Sequence, residues 1–445
     1  MKQILIIGGG ISGLAVLHNL KKKYANQADI QVRLFEKNDY TGGTAHSCRY
    51  AHCLFEQGPN GFLDSKASTV ALAKDLGLEE QLLYADDNAK LRFISVKNKL
   101  HALPSSPLAF VRFEPFSFFD KLKVLGEFFV APGKKPEESV YEFGSRRLGE
   151  KFAKLILDPM VSGVFGGDAK NLNLKEAFPR IYEIEQTHGS LIKGMLRLKK
   201  QKGMGQPGGR LVSFKQGMSQ LSEKIFERYA GSIQPSTEVR AIRKIGEGFV
   251  VETDQTQYFA QEIFLCTPAP VAAGLLKDIN RNLSQALAKI NYASIAVVGL
   301  VYKRSAFAKI PAGFGYLIPS SEGKEVLGVL FCSNIFDGRT DAEHFLFRVM
   351  LGGARHPDSI KKTEAELLSL AEDEVRVMLG PNSPPVDRLI KVWPKGIPQY
   401  DLAYASLKKQ ILNELCTLPD LHLVANYLDG ISLNDCTANA HTKLL

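Results

Sequence analysis

The chain has 445 residues, 45% of them hydrophobic and 23% charged, a globular balance that excludes a disordered chain, a collagen-like fibre and a disulfide-stapled mini-domain. At roughly 150 residues per domain this length predicts about three domains and a large core. The formal net charge of +9 favours an acidic ligand or an anionic lipid surface without selecting either, and no apolar run reaches the roughly 18 residues of a spanning helix, so a polytopic membrane protein is excluded.

The start carries the strongest local pattern. Gln3 to Ile7 reads as a short buried strand, Gly8, Gly10 and Gly13 follow in GxGxxG spacing, and Leu14 to Leu20 reads as a helix. In that setting Gly8 permits a tight turn, Gly10 a close backbone approach to a pyrophosphate, and Gly13 close packing of helix on strand. The helix N-terminus adds amides and a positive dipole end. Gln31 to Phe35 is a second strand ending at Glu36, about 20 residues past the last glycine, where a carboxylate accepts hydrogen bonds from an adenosine ribose. Glu36 also disfavours a 2′-phosphate, hence NADP. NAD and FAD share this fingerprint, which therefore says dinucleotide and no more.

His46, Cys48, His52 and Cys53 come next, close in sequence but without paired CxxC spacing, so no metal is expected. Cys48, Cys53, Cys266, Cys332, Cys416 and Cys436 are scattered, which predicts free thiols in a reducing, cytoplasmic compartment. The apolar run from Ile4 to Ile7 is too short for a signal peptide.

From Phe110 to Phe129 there are seven phenylalanines, with Phe118, Leu122, Leu125 and Phe129 spaced along one helical face and Ser117 and Asp120 placed for a capping box. The spacing predicts a buried helix face, with a substrate-channel or membrane-surface helix as the sharper alternative. Gly133 to Pro136 breaks the chain before a helix over Ser139 to Leu157. No acid occurs from His188 to Ser222, whereas Lys193, Arg197, Lys199, Lys200, Lys202, Arg210 and Lys215 are basic. A solvated face is the plain reading. Nucleic-acid binding is disfavoured, since aromatics are not interleaved with these charges and no nucleic-acid module is visible.

Gly203 to Gly209 marks a loop or domain return. Arg210 to Phe214, Ile233 to Pro235, Ala241 to Ile245 and Phe249 to Thr253 read as short strands around a helix centred on Leu221, and Ile263 to Cys266 as a buried strand. Together they suggest a return to the nucleotide domain. Ala293 to Tyr302, Gly315 to Pro319 and Val326 to Cys332 alternate as a second sheet, followed by a helix over Lys362 to Met378.

Several separated segments then carry a resemblance. Gly42 and Gly43 resemble the second glycine pair of flavoproteins in the amine-oxidase superfamily, although Tyr40 and Thr44 stand where basic residues are usual. Gly58, Pro59 and Asn60 resemble the turn that runs close to the flavin there. The ALPSSP stretch at Ala102, DPMVSGVFGGD (Asp158 to Asp168), FPRIYEIEQTHGSLIKG (Phe178 to Gly194), Trp393 with Pro394, and NYLDGISLNDC (Asn426 to Cys436) resemble the oxygen-dependent protoporphyrinogen oxidases and their coproporphyrinogen-oxidising relatives. The similarity runs through nearly the whole chain.

The resemblance implies an α/β fold with a discontinuous Rossmann-like FAD-binding domain (1–75, 205–270 and 390–445), an α+β substrate-binding domain on an antiparallel sheet (76–100 and 271–389) and an inserted helical domain (101–204) of a kind often associated with a membrane surface. It implies non-covalent FAD and oxidation of protoporphyrinogen IX to protoporphyrin IX in heme biosynthesis. Three two-electron steps pass hydride to flavin N5, and oxygen re-oxidises the flavin with release of hydrogen peroxide. Oxidation of coproporphyrinogen III to coproporphyrin III is the alternative. Another FAD oxidoreductase of the superfamily, such as an amine oxidase or carotenoid desaturase, and a non-enzymatic flavoprotein are further ones.

Carried over by position, Gly8, Gly10, Ser12, Gly13, Glu36, Lys37, Gly42, Gly43, Gly58, Val239, Trp393, Ile431 and Leu433 are the implied FAD contacts, the last two ahead of a terminal helix whose N-terminus faces the flavin pyrimidine oxygens. Lys66 is implied near a propionate, and Leu317 and Phe331 as walls of the macrocycle pocket. No catalytic residue is nominated, since the cofactor carries the difficult chemistry. Porphyrinogen and oxygen are the implied partners, with a peripheral place on a membrane; a homodimer stays open.

Overall fold

The computed structural model describes residues 1–133, 135, 137–201 and 209–443. Pro136, Lys202 and the glycine-rich stretch 203–208 lie outside the described residues, as do the side chains of Lys199 and Lys200.

Strand β1 (Lys2–Ile7) leads through the glycines into α1 (Ile11–Lys23) and returns as β2 (Ile30–Phe35), parallel to β1 with Ile4 opposite Val32. Two hairpins follow, β3 (Ser47–Tyr50) with β4 (Cys53–Glu56), and β5 (Arg92–Val96) with β6 (Lys99–Ala102). A helical stretch comes next, with α2 (Phe118–Leu125), α3 (Val140–Leu148), α4 (Asp158–Phe165), α5 (Pro179–His188) and α6 (Leu191–Gln201). The chain continues with β7 (Leu211–Phe214), α7 (Ser219–Tyr229), β8 (Ile233–Gln234), an antiparallel ladder of β9 (Val239–Ile245), β10 (Gly248–Thr253) and β11 (Gln257–Ala260), and β12 (Glu262–Leu265). Last come β13 (Tyr292–Lys303), β14 (Gly315–Leu317), β15 (Val326–Phe331), β16 (His344–Gly352), α8 (Glu364–Leu379), β17 (Asp387–Pro398), β18 (Leu421–Leu423) and α9 (Leu433–Thr442).

Two sheets organise these elements. The first is parallel, in the order β8-β2-β1-β12-β18. Ile4 and Ile6 pack with Leu14 and Leu17 of α1 on one face, while Leu5 and Ile7 pack with Val251 and Leu276 on the other. Burial on both faces is why this strand is a continuous apolar run. The second sheet, ordered β17-β13-β16-β15-β14-β5-β6, is antiparallel except between β14 and β5. One of its faces packs on Leu367, Ala371 and Val375 of α8, and the other carries Ile295, Val297, Leu346 and Trp393.

The helical stretch has its own core and a buried polar pin. Arg147 donates to both Glu127 and Glu185, all three buried, and its Nη2 also donates to the Gly189 carbonyl at 2.7 Å. Glu127 accepts from Ser190 Oγ at 2.6 Å and from the Leu191 amide at 2.8 Å. Burial pushes its carboxyl upward, but these donors and Arg147 outweigh that and hold it below the ordinary range. The helical stretch predicted over Ser139 to Leu157 is present, interrupted only where Gly149 at φ 93° ends α3 and finished by a π-helical turn over Ala153–Leu157. A positive φ is readily reached only by glycine, so the chain can leave the helix at this point.

The capping box of Ser117 with Asp120 is present at the start of α2. The burial expected of that helix face is overturned, because Phe118 is 69% exposed and Phe129 93%, with Phe119, Leu122 and Leu125 also in the open. Phe113 and Phe116 turn inward instead and meet edge to face with centroids 5.3 Å apart. Among the described residues no helix is long and apolar enough to cross a membrane.

Candidate functional site

The carboxyl ends of β1, β2 and β12 lie together at one edge of the parallel sheet, the usual place for a ligand in an α/β fold. Gly8 turns the chain there at φ 105°, and a Cβ on it would stand 2.9 Å from the Cys266 carbonyl oxygen. A Cβ at Gly13 would lie only 1.9 Å from the Gly8 carbonyl oxygen, so α1 rests on the turn as no larger residue allows. Gly10 differs, since a Cβ there would meet nothing within 4 Å. Its free side, with the uncapped first amides of α1, faces the open cradle.

A second glycine turn closes over the first. Gly42 donates to the Gly9 carbonyl at 2.8 Å and bridges to Gly10, and a Cβ at Gly43 would approach the Gly10 Cα to 3.3 Å. Glu36 stands beside them, buried, with Oε2 accepting from the Gly9 amide at 2.7 Å and Oε1 from the Asn38 amide at 2.9 Å. The Glu36 carbonyl accepts from the Thr237 amide at 2.8 Å, which draws Val239 at the start of β9 to the same end of the sheet. Lys37 follows Glu36 on the exposed edge. Thr44 is packed under Gly58, where a Cβ would stand 1.8 Å from the Thr44 carbonyl oxygen.

At the other end of the cradle, Trp393 of β17 donates from Nε1 to the Gln57 carbonyl at 2.7 Å and carries the Lys391 ammonium 4.7 Å over its ring. Helix α9 closes the region against α1. Leu433 is buried beside Val424 and Ala440, Ile431 packs on the helical stretch, and the Cys436 thiol hydrogen-bonds to Ser12, although burial pushes that thiol up to about 11. A capping box of Ser432 with Asp435 starts α9, and Asn434 Nδ2 donates to the Leu63 carbonyl at 2.6 Å.

The three residues expected at the macrocycle fare differently. Lys66 is exposed and ion-paired to Asp435, the acid of that capping box, so its ammonium already has a carboxylate partner. Leu317 lies against Gly163 of α4, where a Cβ would meet its Cδ2 at 2.9 Å. Phe331 requires a correction: it is fully buried among Tyr316, Phe347 and the residues of α8, on the sheet face turned away from Trp393. Its neighbour Leu330 packs on the Trp393 side.

Sequence reasoning missed a charged group beneath the Gly58 turn. Arg348 of β16 is buried and donates through Nη2 to the Gly58 carbonyl. Arg339, also buried, donates to Ser213 Oγ at 2.7 Å and lies 3.4 Å from Glu56. Glu56 accepts from Ser47 Oγ at 2.6 Å and from the Met218 amide at 3.1 Å. Burial lowers both guanidiniums and raises the Glu56 carboxyl. Two arginines facing one carboxylate is a positive bias, and Arg348 inside the apolar strand β16 was the available signal. Close by, both amide atoms of Asn60 and the hydroxyl of Thr267 are buried without a hydrogen-bond partner. Native structures rarely leave such groups unmade, so these atoms mark where a polar ligand completes the site.

Comparison with known proteins agrees with this geometry. The family described as flavin containing amine oxidoreductase matches residues 11–429. The chain is 30% identical over 465 residues to protoporphyrinogen oxidase 1, chloroplastic, of Spinacia oleracea, covering 98% of this chain and 82% of that one. It is 24% identical to coproporphyrinogen III oxidase of Bacillus subtilis (strain 168), covering 98% and 95%. A crystal structure from Exiguobacterium sp. 255-15 superposes with a TM-score of 0.85 at 22% identity, covering 100% of this chain and 98% of that one.

Proposed function

The chain belongs to the flavin-containing amine oxidoreductases, in their protoporphyrinogen and coproporphyrinogen oxidase group, and from that premise we propose that it oxidises protoporphyrinogen IX to protoporphyrin IX with oxygen as the final acceptor. It is an oxidoreductase, and its cofactor is FAD. The observation that carries the substrate reading is the continuous 30% identity to the spinach enzyme across 98% of this chain.

The residues present fit FAD. The side of Gly10 left open within 4 Å suits a pyrophosphate, and Asn60 and Thr267 hold unpaired buried polar atoms at the same cradle. Gly8, Gly10, Ser12, Gly13, Gly42 and Gly43 hold the phosphates, Glu36, Lys37 and Val239 the adenosine end, and Gly58, Trp393, Ile431 and Leu433 the ring end. We assign residues 1–75, 205–270 and 390–445 to this binding unit, 76–100 and 271–389 to the substrate unit, and 101–204 to the helical insertion.

FAD bound there would supply a hydride acceptor for the two-electron oxidation of the porphyrinogen, with oxygen as the acceptor that restores it. The chain's own work is positional. Trp393, tied to the Gln57 carbonyl, stands with Leu330 and Met350 as an apolar wall for a flat macrocycle. Arg348 under the Gly58 turn, with Arg339 beside Glu56, would lend positive potential toward the ring end of the cofactor. The exposed Phe118, Phe119 and Phe129 seat the helical insertion on a membrane surface. Oxidation of coproporphyrinogen III is the second reading, favoured by the similarity to the Bacillus subtilis enzyme.

Anaerobic addition of each porphyrinogen to the flavin-loaded protein tests the reading. Protoporphyrinogen is expected to bleach the visible flavin bands, with colour and porphyrin fluorescence appearing once oxygen is admitted. Bleaching by coproporphyrinogen alone would transfer the assignment to that substrate, and a protein that neither reduces would overturn both.

A further inference from the structure

Away from the flavin cradle, three metal-ligating side chains meet at one surface, one of them 289 residues before its nearest partner in sequence. They are His52 in the turn between β3 and β4, Asp341 in the loop before β16, and His344 at the first position of β16. We propose that they bind one divalent cation of the zinc class, which staples the β3–β4 hairpin to the seven-stranded sheet.

The geometry is close to what such an ion needs. His344 Nδ1 lies 2.7 Å from Asp341 Oδ1, and His52 Nδ1 lies 3.3 Å from Asp341 Oδ2. One ligand atom from each of the three residues falls within 4.8 Å of the others. Bonds of about 2.0–2.2 Å place tetrahedral ligand atoms about 3.4 Å apart, so both imidazole-to-carboxylate spans are already short enough. To seat the ion, the His344–Asp341 contact must lengthen from its hydrogen-bonded 2.7 Å and the imidazole pair must open from a stack with centroids 4.1 Å apart and planes at 21°. Two imidazoles with one carboxylate suit zinc and its transition-metal neighbours, whereas calcium and magnesium seek mainly oxygen.

The frame around the three side chains is fixed in advance. Leu54 donates to the Arg339 carbonyl at 2.9 Å and Cys53 bridges to Thr340, which zips the hairpin to the loop carrying Asp341. Thr340 Oγ1 donates to the His344 carbonyl at 3.0 Å, and Asp341 Oδ1 accepts from the amides of Glu343 and His344. Such outer contacts orient ligands before a metal arrives. The side chains of His52 and Asp341 are 41% and 48% exposed while that of His344 is 8% exposed, giving one anchored ligand, two accessible ones and an entry path.

The grouping differs from the one adjacency suggests. His46 packs on the Tyr40 ring at 4.5 Å, and Cys48 accepts from Gln57 at 3.0 Å, so both are occupied beside the flavin loop. A cation at His344 would steady β16 four residues before Arg348, which holds the Gly58 turn. The role is structural, with no step of the redox chemistry passing through it.

Isothermal titration of chelator-treated, dialysed holoprotein with zinc chloride tests the site. One equivalent per chain is expected, at a micromolar dissociation constant, weakened at least tenfold by His52→Ala and by Asp341→Asn and unchanged by His101→Ala. Zinc should also raise the urea midpoint of the unsubstituted protein and leave that of the His52→Ala protein where it was. His52 sits in an exposed hairpin turn, so that variant folds. Binding of equal strength in His52→Ala, or no saturable binding below about 100 μM, overturns the proposal.

Discussion

Replacing Gly10 and Gly13 separately by alanine should divide cofactor binding from folding, because the same methyl group meets opposite surroundings at the two positions. At Gly13 it would stand 1.9 Å from the Gly8 carbonyl oxygen and 3.3 Å from Cys266 Cβ. Backbone cannot step aside as a flexible side chain can, so α1 must lift from β1. Overpacking of this kind costs about 1–3 kcal/mol, while Gly to Ala inside a helix returns about 1 kcal/mol. The flavin-free Gly13→Ala protein should therefore be destabilised by up to about 2 kcal/mol. At Gly10 the methyl meets nothing within 4 Å, and φ −68° with ψ 176° is ordinary extended backbone. Only a weaker helix N-cap is lost there, worth less than about 1 kcal/mol. FAD must nevertheless enter that space, so Gly10→Ala should weaken its binding by about tenfold or more, equivalent to about 1.4 kcal/mol. Urea unfolding of the flavin-free proteins by circular dichroism, with titration of FAD fluorescence quenching, reads both quantities. If Gly10→Ala bound FAD as tightly as the unsubstituted protein, the phosphates would lie elsewhere and the cradle assignment would fail.

Two further outcomes follow from charge and exposure. Burial alone would raise the Glu262 carboxyl, but hydrogen bonds from His422 and Lys2 prevail and hold it at about 2 instead of 4.5. A group depressed on folding stabilises above its unfolded value, and that contribution disappears as pH falls from about 4.5 toward 2. After allowance for partial exposure it amounts to about 1–2 kcal/mol. Urea midpoints of the unsubstituted protein should thus fall more steeply than those of Glu262→Gln across this window; parallel slopes would refute the linkage. The triple change of Phe118, Phe119 and Phe129 to serine should abolish sedimentation with anionic vesicles while moving stability by no more than about 0.5 kcal/mol. Undiminished vesicle binding would remove the membrane role of α2.

What the sequence discloses best is local. The GxGxxG spacing states where backbone must come close, and the structure returns a Cβ blocked at Gly13 and free at Gly10. The Ser117–Asp120 capping box is equally local, with both of its hydrogen bonds spanning three residues. The burial of the Phe118 face was a different kind of statement: periodicity says which side chains share a face but not whether anything covers it. Phe331 failed for a related reason, because β15 is apolar on both faces and alternation cannot say which face meets the site. Lys66 and Asp435 are 369 residues apart, and His52 and Asp341 289. Such pairings depend on how whole strands are stacked, which no window of sequence contains. Gly149 was a visible glycine within a predicted helical stretch, and its positive φ explains the interruption there.

The parallel sheet also has a consequence for how the protein comes into being. Its central strand β1 is made from residues 2–7, yet β12 and β18 are supplied from 262–265 and 421–423, and α9 seals α1 only at 433–442. At roughly 5–20 residues per second, about 20–80 s separate synthesis of the glycine turn from arrival of its lid. Throughout that interval the nascent chain displays Ile4 to Ile7 without its later neighbours, a template for unwanted strand pairing. Arrival of β12, β18 and α9, rather than emergence of the nucleotide fingerprint, is therefore when the flavin can be captured, and a chaperone holding the Lys2–Ile7 segment until then would act on the step that decides how much of the newly made protein acquires its colour.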